Sequence, residues 1–78
     1  MKKDDELRQI IRDTLISLRK EKGLTQSEVG EAVGKSLTAV ASWEQGLSLP
    51  DLSTLYKLSK FYNKSIAYMF GEEEQNDH

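Results

Sequence analysis

Side chains able to coordinate an anion or pair with a polar edge concentrate between residues 25 and 48 of this sequence. Gln26, Ser27, Lys35, Ser36 and Ser48 bring an amide, three hydroxyls and one ammonium. Leu37, Thr38, Ala41 and Ser42 add methyl groups and two more hydroxyls on a second short segment. That chemistry is hydrogen bonding and anion contact, not bond making. Catalysis has little to work with: His78 is the only histidine and the last residue, and cysteine is absent. No nucleophile stands at a spacing that pairs it with a base, and neither a phosphate-cradling glycine loop nor a metal-ligand spacing occurs. Glu72, Glu73, Glu74, Asp77 and His78 could hold a cation weakly, but a solvated tail explains them better. No enzyme activity, cofactor or metal is expected.

The elements that position these residues can be read from their ends. Thr25 and Glu28 make a T-x-x-E capping box, in which each side chain satisfies the other's backbone N–H. A helix over 26–33 follows, with Val29, Ala32 and Val33 as its apolar face. Gly34 stops it, because glycine enters the left-handed conformation without steric cost. Ser36 caps a second helix, 37–45, whose buried face is Val40, Trp43 and Ala39, and Gly46 ends it. Helix, short glycine turn and helix form a helix-turn-helix unit at about 26–45, whose second helix can enter the major groove of DNA. With Val40 and Trp43 inward, Leu37, Thr38, Ala41 and Ser42 face outward. Backbone N–H groups at the start of the 26–33 helix point toward any anion placed there. Ser27, Lys35, Ser36 and Ser48 are further phosphate candidates, and Lys35 can lay its stem over the core with its ammonium outward.

The remaining segments are helical too. Residues 4–22 carry an apolar stripe, Leu7, Ile10, Ile11, Thr14, Leu15 and Leu18, with acidic residues in the first turn and basic ones in the last. Asp4 or Asp5 is the expected cap, Gly23 the stop, and Leu24 drops into the core. After Pro50, Asp51 caps a helix over 52–62 with Leu52, Leu55, Leu58, Ser59 and Tyr62 inward, and Asn63 ends it. Ser65 caps a last helix, 66–70, and Gly71 closes it. The spacing therefore predicts an all-α, five-helix domain over 1–71, followed by a disordered acidic tail, 72–78.

Length and charge bound the partners. Seventy-eight residues support one small domain with a thin core. No apolar run reaches the roughly 20 residues of a membrane span, and MKKDDELRQ lacks a signal-peptide core, so a cytoplasmic location is expected. The net charge of −2 argues against nucleic acid at first sight. Acidic residues crowd both ends, however. Between residues 7 and 71 nine Lys/Arg stand against six Asp/Glu, a net of +3. That permits DNA binding without demanding it.

The spaced residues carry a resemblance. Arg19, Gly23, Leu24-Thr25-Gln26, Glu28-Val29, Gly34, Ser36, Val40, Trp43-Glu44, Gly46, Pro50 and the trailing Leu52, Leu55, Leu58, Ser65 and Gly71 resemble the Cro/repressor-type, lambda-repressor-like helix-turn-helix family, also called the XRE family. The pattern covers residues 7–71, most of the chain. The resemblance implies that Gln26 bonds a phosphate and braces the recognition helix, and that Arg19 and Glu44 form a structural ion pair. It also implies dimerisation through the C-terminal end, where Tyr56, Phe61, Ile66, Tyr68 and Phe70 are the candidates, so that two recognition helices meet successive major grooves about 34 Å apart. The chain departs from the pattern in four places. Lys35 stands where an apolar residue is common. Gly30 stands where alanine is usual, at a helix cost of roughly 1 kcal/mol. The loop 47–49 has no cation. Leu37, Thr38, Ala41 and Ser42 replace the Gln, Arg or Asn that make bidentate base contacts. Leu37 and Ala41 can touch thymine methyls, while Thr38 and Ser42 give or take one hydrogen bond each.

These features predict a transcriptional regulator of double-stranded DNA, a repressor by operator occupancy, acting as a homodimer. Nothing long enough for a sensing domain follows residue 71, so no small-molecule ligand is expected. The alternative is a protein-interaction module on the same fold, meeting its partner through Leu37, Leu47, Leu49 and Phe61.

Overall fold

The computed structural model describes residues 4–72 as five helices. They are α1 (Asp4–Glu21), α2 (Gln26–Val33), α3 (Leu37–Glu44), α4 (Leu52–Phe61) and α5 (Ile66–Met69). There is no strand among the described residues. A helix start leaves backbone donors without partners. Thr25, Ser36, Asp51 and Ser65 each accept the N–H of the residue three ahead, Glu28, Ala39, Thr54 and Tyr68, at 2.8 to 3.1 Å. Glu28 closes the capping box by accepting the Thr25 N–H at 2.8 Å. Asp4 and Asp5, the expected caps of α1, both lie inside the helix in its first turn, so neither is its cap.

All five helices end alike. A residue past the last turn bonds back five positions: Leu24 to Arg19, Lys35 to Gly30, Leu47 to Ser42, Lys64 to Ser59 and Glu72 to Ala67, at 2.8 to 3.2 Å. This closure needs a left-handed residue just before the donor. Asn63, at φ +58°, is the one non-glycine that fills it, and asparagine tolerates that region better than most residues. Gly71 is held twice over, because a Cβ there would lie 2.9 Å from Ile10 Cγ2. The expected disordered tail therefore does not begin at residue 72: Glu72 still donates to the Ala67 carbonyl. Residues 73–78 of that tail lie outside the described residues.

The helices pack as a ring. The principal contacts run from α1 to α3, α3 to α2, α2 to α4, α4 to α5, and α5 back to α1. Inside it lie Ile11, Leu15 and Leu18 of α1, Val29 and Val33 of α2, and Val40 and Trp43 of α3, with Leu55, Leu58, Tyr62 and Met69 from the C-terminal half. Leu24 is half-buried against this cluster.

Two inward assignments are corrected. Ala32 is exposed, and Gly30 is the buried third residue of α2. Leu52 is 78% exposed, and Thr54 is buried in its place. A step of three residues drifts by about 60° on a helix. Leu52, one step before Leu55 and two before Leu58, has therefore rotated to the edge of the inner face. Gly30 is buried because α2 and the following turn meet there: a Cβ on it would come within 2.5 Å of the Lys35 carbonyl oxygen.

Candidate nucleic-acid interface

α3 turns Val40 and Trp43 into the core, at 1% and 4% exposure. Leu37 and Thr38 are exposed on its other side, and Ala41 and Ser42 are half-exposed. All four residues assigned to the outer face are therefore solvent-accessible. Leu37 is 53% exposed, a large apolar side chain at the first turn. Between Ser36 and Trp43 this helix carries no charged or amide side chain.

A carboxylate fixes α3 to the rest of the fold. Arg19 Nε donates to Glu44 Oε2 at 2.7 Å and Arg19 Nη2 to Glu44 Oε1 at 2.9 Å. Arg19 Nη1 donates to the Leu24 carbonyl at 2.8 Å. Gln26 Nε2 then donates to the same Glu44 Oε1 at 3.0 Å. One side chain at the end of α3 is thus bound from α1 and from the first turn of α2. The hydrogen bond to Glu44, and its charge, hold the Arg19 guanidinium above its ordinary pKa, against a smaller opposing effect of burial. The Gln26 link to Glu44 could not be read from the sequence, because it depends on the distance between two helices. The amide still has a second hydrogen to offer a phosphate.

The other phosphate candidates sit around this frame. Ser27 is exposed in the first turn of α2, next to backbone donors that a helix leaves unpaired. Lys35 is exposed in the turn, with Nζ 3.9 Å from Asp51 Oδ2. Asp51 is in turn held below the ordinary carboxylate pKa, first by its hydrogen bonds to Thr54 and less by the Lys35 charge. Ser36 is exposed but its oxygen already caps α3. Ser48 lies in the loop with its hydroxyl 2.7 Å from that of Ser42. No sequence signal pointed to this pairing.

The expected apolar surface at the C-terminal end is smaller than the sequence suggests. Phe61, Ile66, Tyr68 and Phe70 are half-buried and pack on the core. Tyr56 remains, at 55% exposure, beside Lys60, whose Nζ lies 5.4 Å from its ring centre. Lys64 stands similarly over Tyr68 at 4.6 Å. A groove of about 310 Å³ beside Tyr68 is lined by Asp13, Thr14, Ser17, Gly71 and Glu72. Its two carboxylates and lack of a cation make it unsuited to phosphate.

Comparisons agree with this geometry. The helix-turn-helix family model matches residues 15–69. The cryptic phage CTXphi transcriptional repressor RstR of Vibrio cholerae is 37% identical over 59 residues, covering 76% of this chain and 53% of that protein. The HTH-type transcriptional regulator PuuR of Escherichia coli is 36% identical over 63 residues, covering 81% of this chain and 34% of that protein. The chain thus spans about a third to a half of the length of these two relatives. The crystal structure of a transcriptional regulator from Listeria innocua superposes with a TM-score of 0.75 at 29% identity, over 86% of this chain and 64% of that one. Because the matched span runs from the middle of α1 through α5 and takes in the whole two-helix motif, the chain belongs to the Cro/repressor-type helix-turn-helix family.

Proposed function

We propose that this chain is a DNA-binding transcriptional regulator, a repressor acting by operator occupancy. α3 enters the major groove with Leu37, Thr38, Ala41 and Ser42 toward the base edges, and Gln26, Ser27, Lys35, Ser36 and Ser48 take the flanking phosphates. The observation that carries this reading is the convergence of Arg19 and Gln26 on Glu44. It sets α3 at a fixed angle to the start of α2, so a phosphate contact at Gln26 orients the groove-facing side of α3. RstR is named a transcriptional repressor and PuuR a transcriptional regulator, which favours this use of the motif. Two copies acting together, with Tyr56 the most exposed of the dimer candidates, would place two such helices on one face of the duplex. The described helices include none long and apolar enough to cross a membrane, and the cytoplasm is the proposed site of action.

Fluorescence anisotropy against DNA flanking its own gene and against random duplex, at two salt concentrations, tests the reading. Binding to both, tighter for the flanking DNA and weakened by salt, is expected. The salt slope should be shallow, because few cations lie on this face. Absence of binding to either duplex at low salt would overturn it in favour of a protein partner.

A further inference from the structure

Ser42 stands on the outward side of α3 and Ser48 in the loop that follows, with their hydroxyl oxygens 2.7 Å apart. The backbone keeps them together. The Leu47 N–H donates to the Ser42 carbonyl at 3.0 Å, in the closure that ends α3. A serine hydroxyl has one hydrogen to give and two lone pairs. In such a pair one hydroxyl gives its hydrogen to the other and the second keeps its own. Either direction satisfies the isolated protein. A phosphate oxygen breaks that tie, because it can only accept.

We infer that a phosphate contact at Ser48 sets what Ser42 reads. When Ser48 donates to a phosphate, its oxygen accepts the hydrogen of Ser42. Ser42 then meets the groove with lone pairs alone. That group matches an exocyclic amine, adenine N6 or cytosine N4, and opposes guanine O6 or thymine O4. A hydroxyl that would ordinarily accept either partner becomes selective. The inference rests on the DNA-binding reading above. No other residue of this face duplicates the device: the Ser36 oxygen is occupied by the Ala39 N–H, Leu37 and Ala41 have no polar atom, and Thr38 keeps both roles.

The test begins with a duplex selected from a random pool by the unaltered protein at low salt. The base pair that becomes indifferent in Ser42→Ala is the one Ser42 faces. At that pair the amine is replaced by a carbonyl oxygen, hypoxanthine for adenine or uracil for cytosine, each opposite its proper partner. The unaltered protein is expected to bind the replaced duplex about tenfold more weakly. In Ser48→Ala the Ser42 hydrogen is released, and the ratio between the two duplexes should shrink to about threefold or less, whatever the overall affinity. Both serines lie at the surface, and circular dichroism checks that the variants fold. An unchanged ratio in Ser48→Ala, or no discrimination by the unaltered protein, overturns the inference and leaves DNA binding standing. Failure to select any duplex overturns the DNA-binding reading itself, and the inference with it.

Discussion

Arg19 and Glu44, 25 residues apart in sequence, meet in a two-point ion pair with side chains only 17% and 6% exposed. Removing either partner strands a charge where water cannot fully reach it. Arg19→Ala and Glu44→Ala should each lower unfolding free energy by about 3–5 kcal/mol, a large share of what a small domain has. Arg19→Lys should not restore it, because one ammonium cannot span two carboxylate oxygens and the Leu24 carbonyl. Urea unfolding measures this; losses below about 1 kcal/mol would mean that the pair is effectively a surface one.

Gln26 carries two consequences at once. Its amide donates to the Glu44 carboxylate, and a hydrogen bond to a charged group is worth about 1.5–3 kcal/mol. Gln26→Ala should therefore weaken DNA binding and also lower stability, but by less than Arg19→Ala. Affinity measured well below the variant's melting temperature separates the two effects. Unchanged affinity there would rule out the docking proposed for α2.

Gly30→Ala tests the contact between α2 and its turn. Helix propensity alone favours alanine by roughly 1 kcal/mol. The added Cβ would sit 2.5 Å from the Lys35 carbonyl oxygen, and backbone cannot swing aside as a flexible side chain can. Overpacking of this kind costs about 1–3 kcal/mol, so the variant should be less stable, not more. A raised melting temperature would show that the turn yields freely.

Helix positions were legible because their ends are local chemistry. Thr25, Ser36, Asp51 and Ser65, with the glycines and Asn63, mark the bounds to within a residue or so of where the helices lie. Faces were less legible where a helix is short. In the eight residues of α2, Gly30 adds no apolar signal yet is buried, while Ala32 adds one and is exposed. The outward residues of α3 followed from Val40 and Trp43 alone. The Ser42–Ser48 and Gln26–Glu44 pairings did not follow, since both depend on how separate segments approach in space.

Tyr62 gives the fold an alkaline limit. Burial, and then the nearby Glu44 charge, push its phenol up to about 12, with Arg19 opposing. A phenol whose pKa is raised on folding stabilises the native state fully below its unfolded value of 10.0. That contribution is lost as pH rises from there toward about 12. Melting temperature should fall more steeply over this window in the unaltered protein than in Tyr62→Phe, which has no proton to lose. Parallel curves would show that the phenolate is solvated in the native state.

Leu37 makes the sharpest claim about recognition by contact alone. It is 53% exposed on a helix face without charged or amide groups. In the major groove the one apolar feature of a base edge is the thymine methyl. Covering it with a leucine should contribute about 0.8 kcal/mol, the value of one buried methylene-sized group. Set against a guanine or cytosine edge, the same leucine would remove water from polar atoms and return no hydrogen bond. Replacing thymine by uracil at single positions of a selected duplex should thus weaken binding about fourfold at the contacted base. Leu37→Ser should erase the difference between the two bases. If uracil is tolerated everywhere, Leu37 does not touch a base, and its exposure belongs to a contact with another protein.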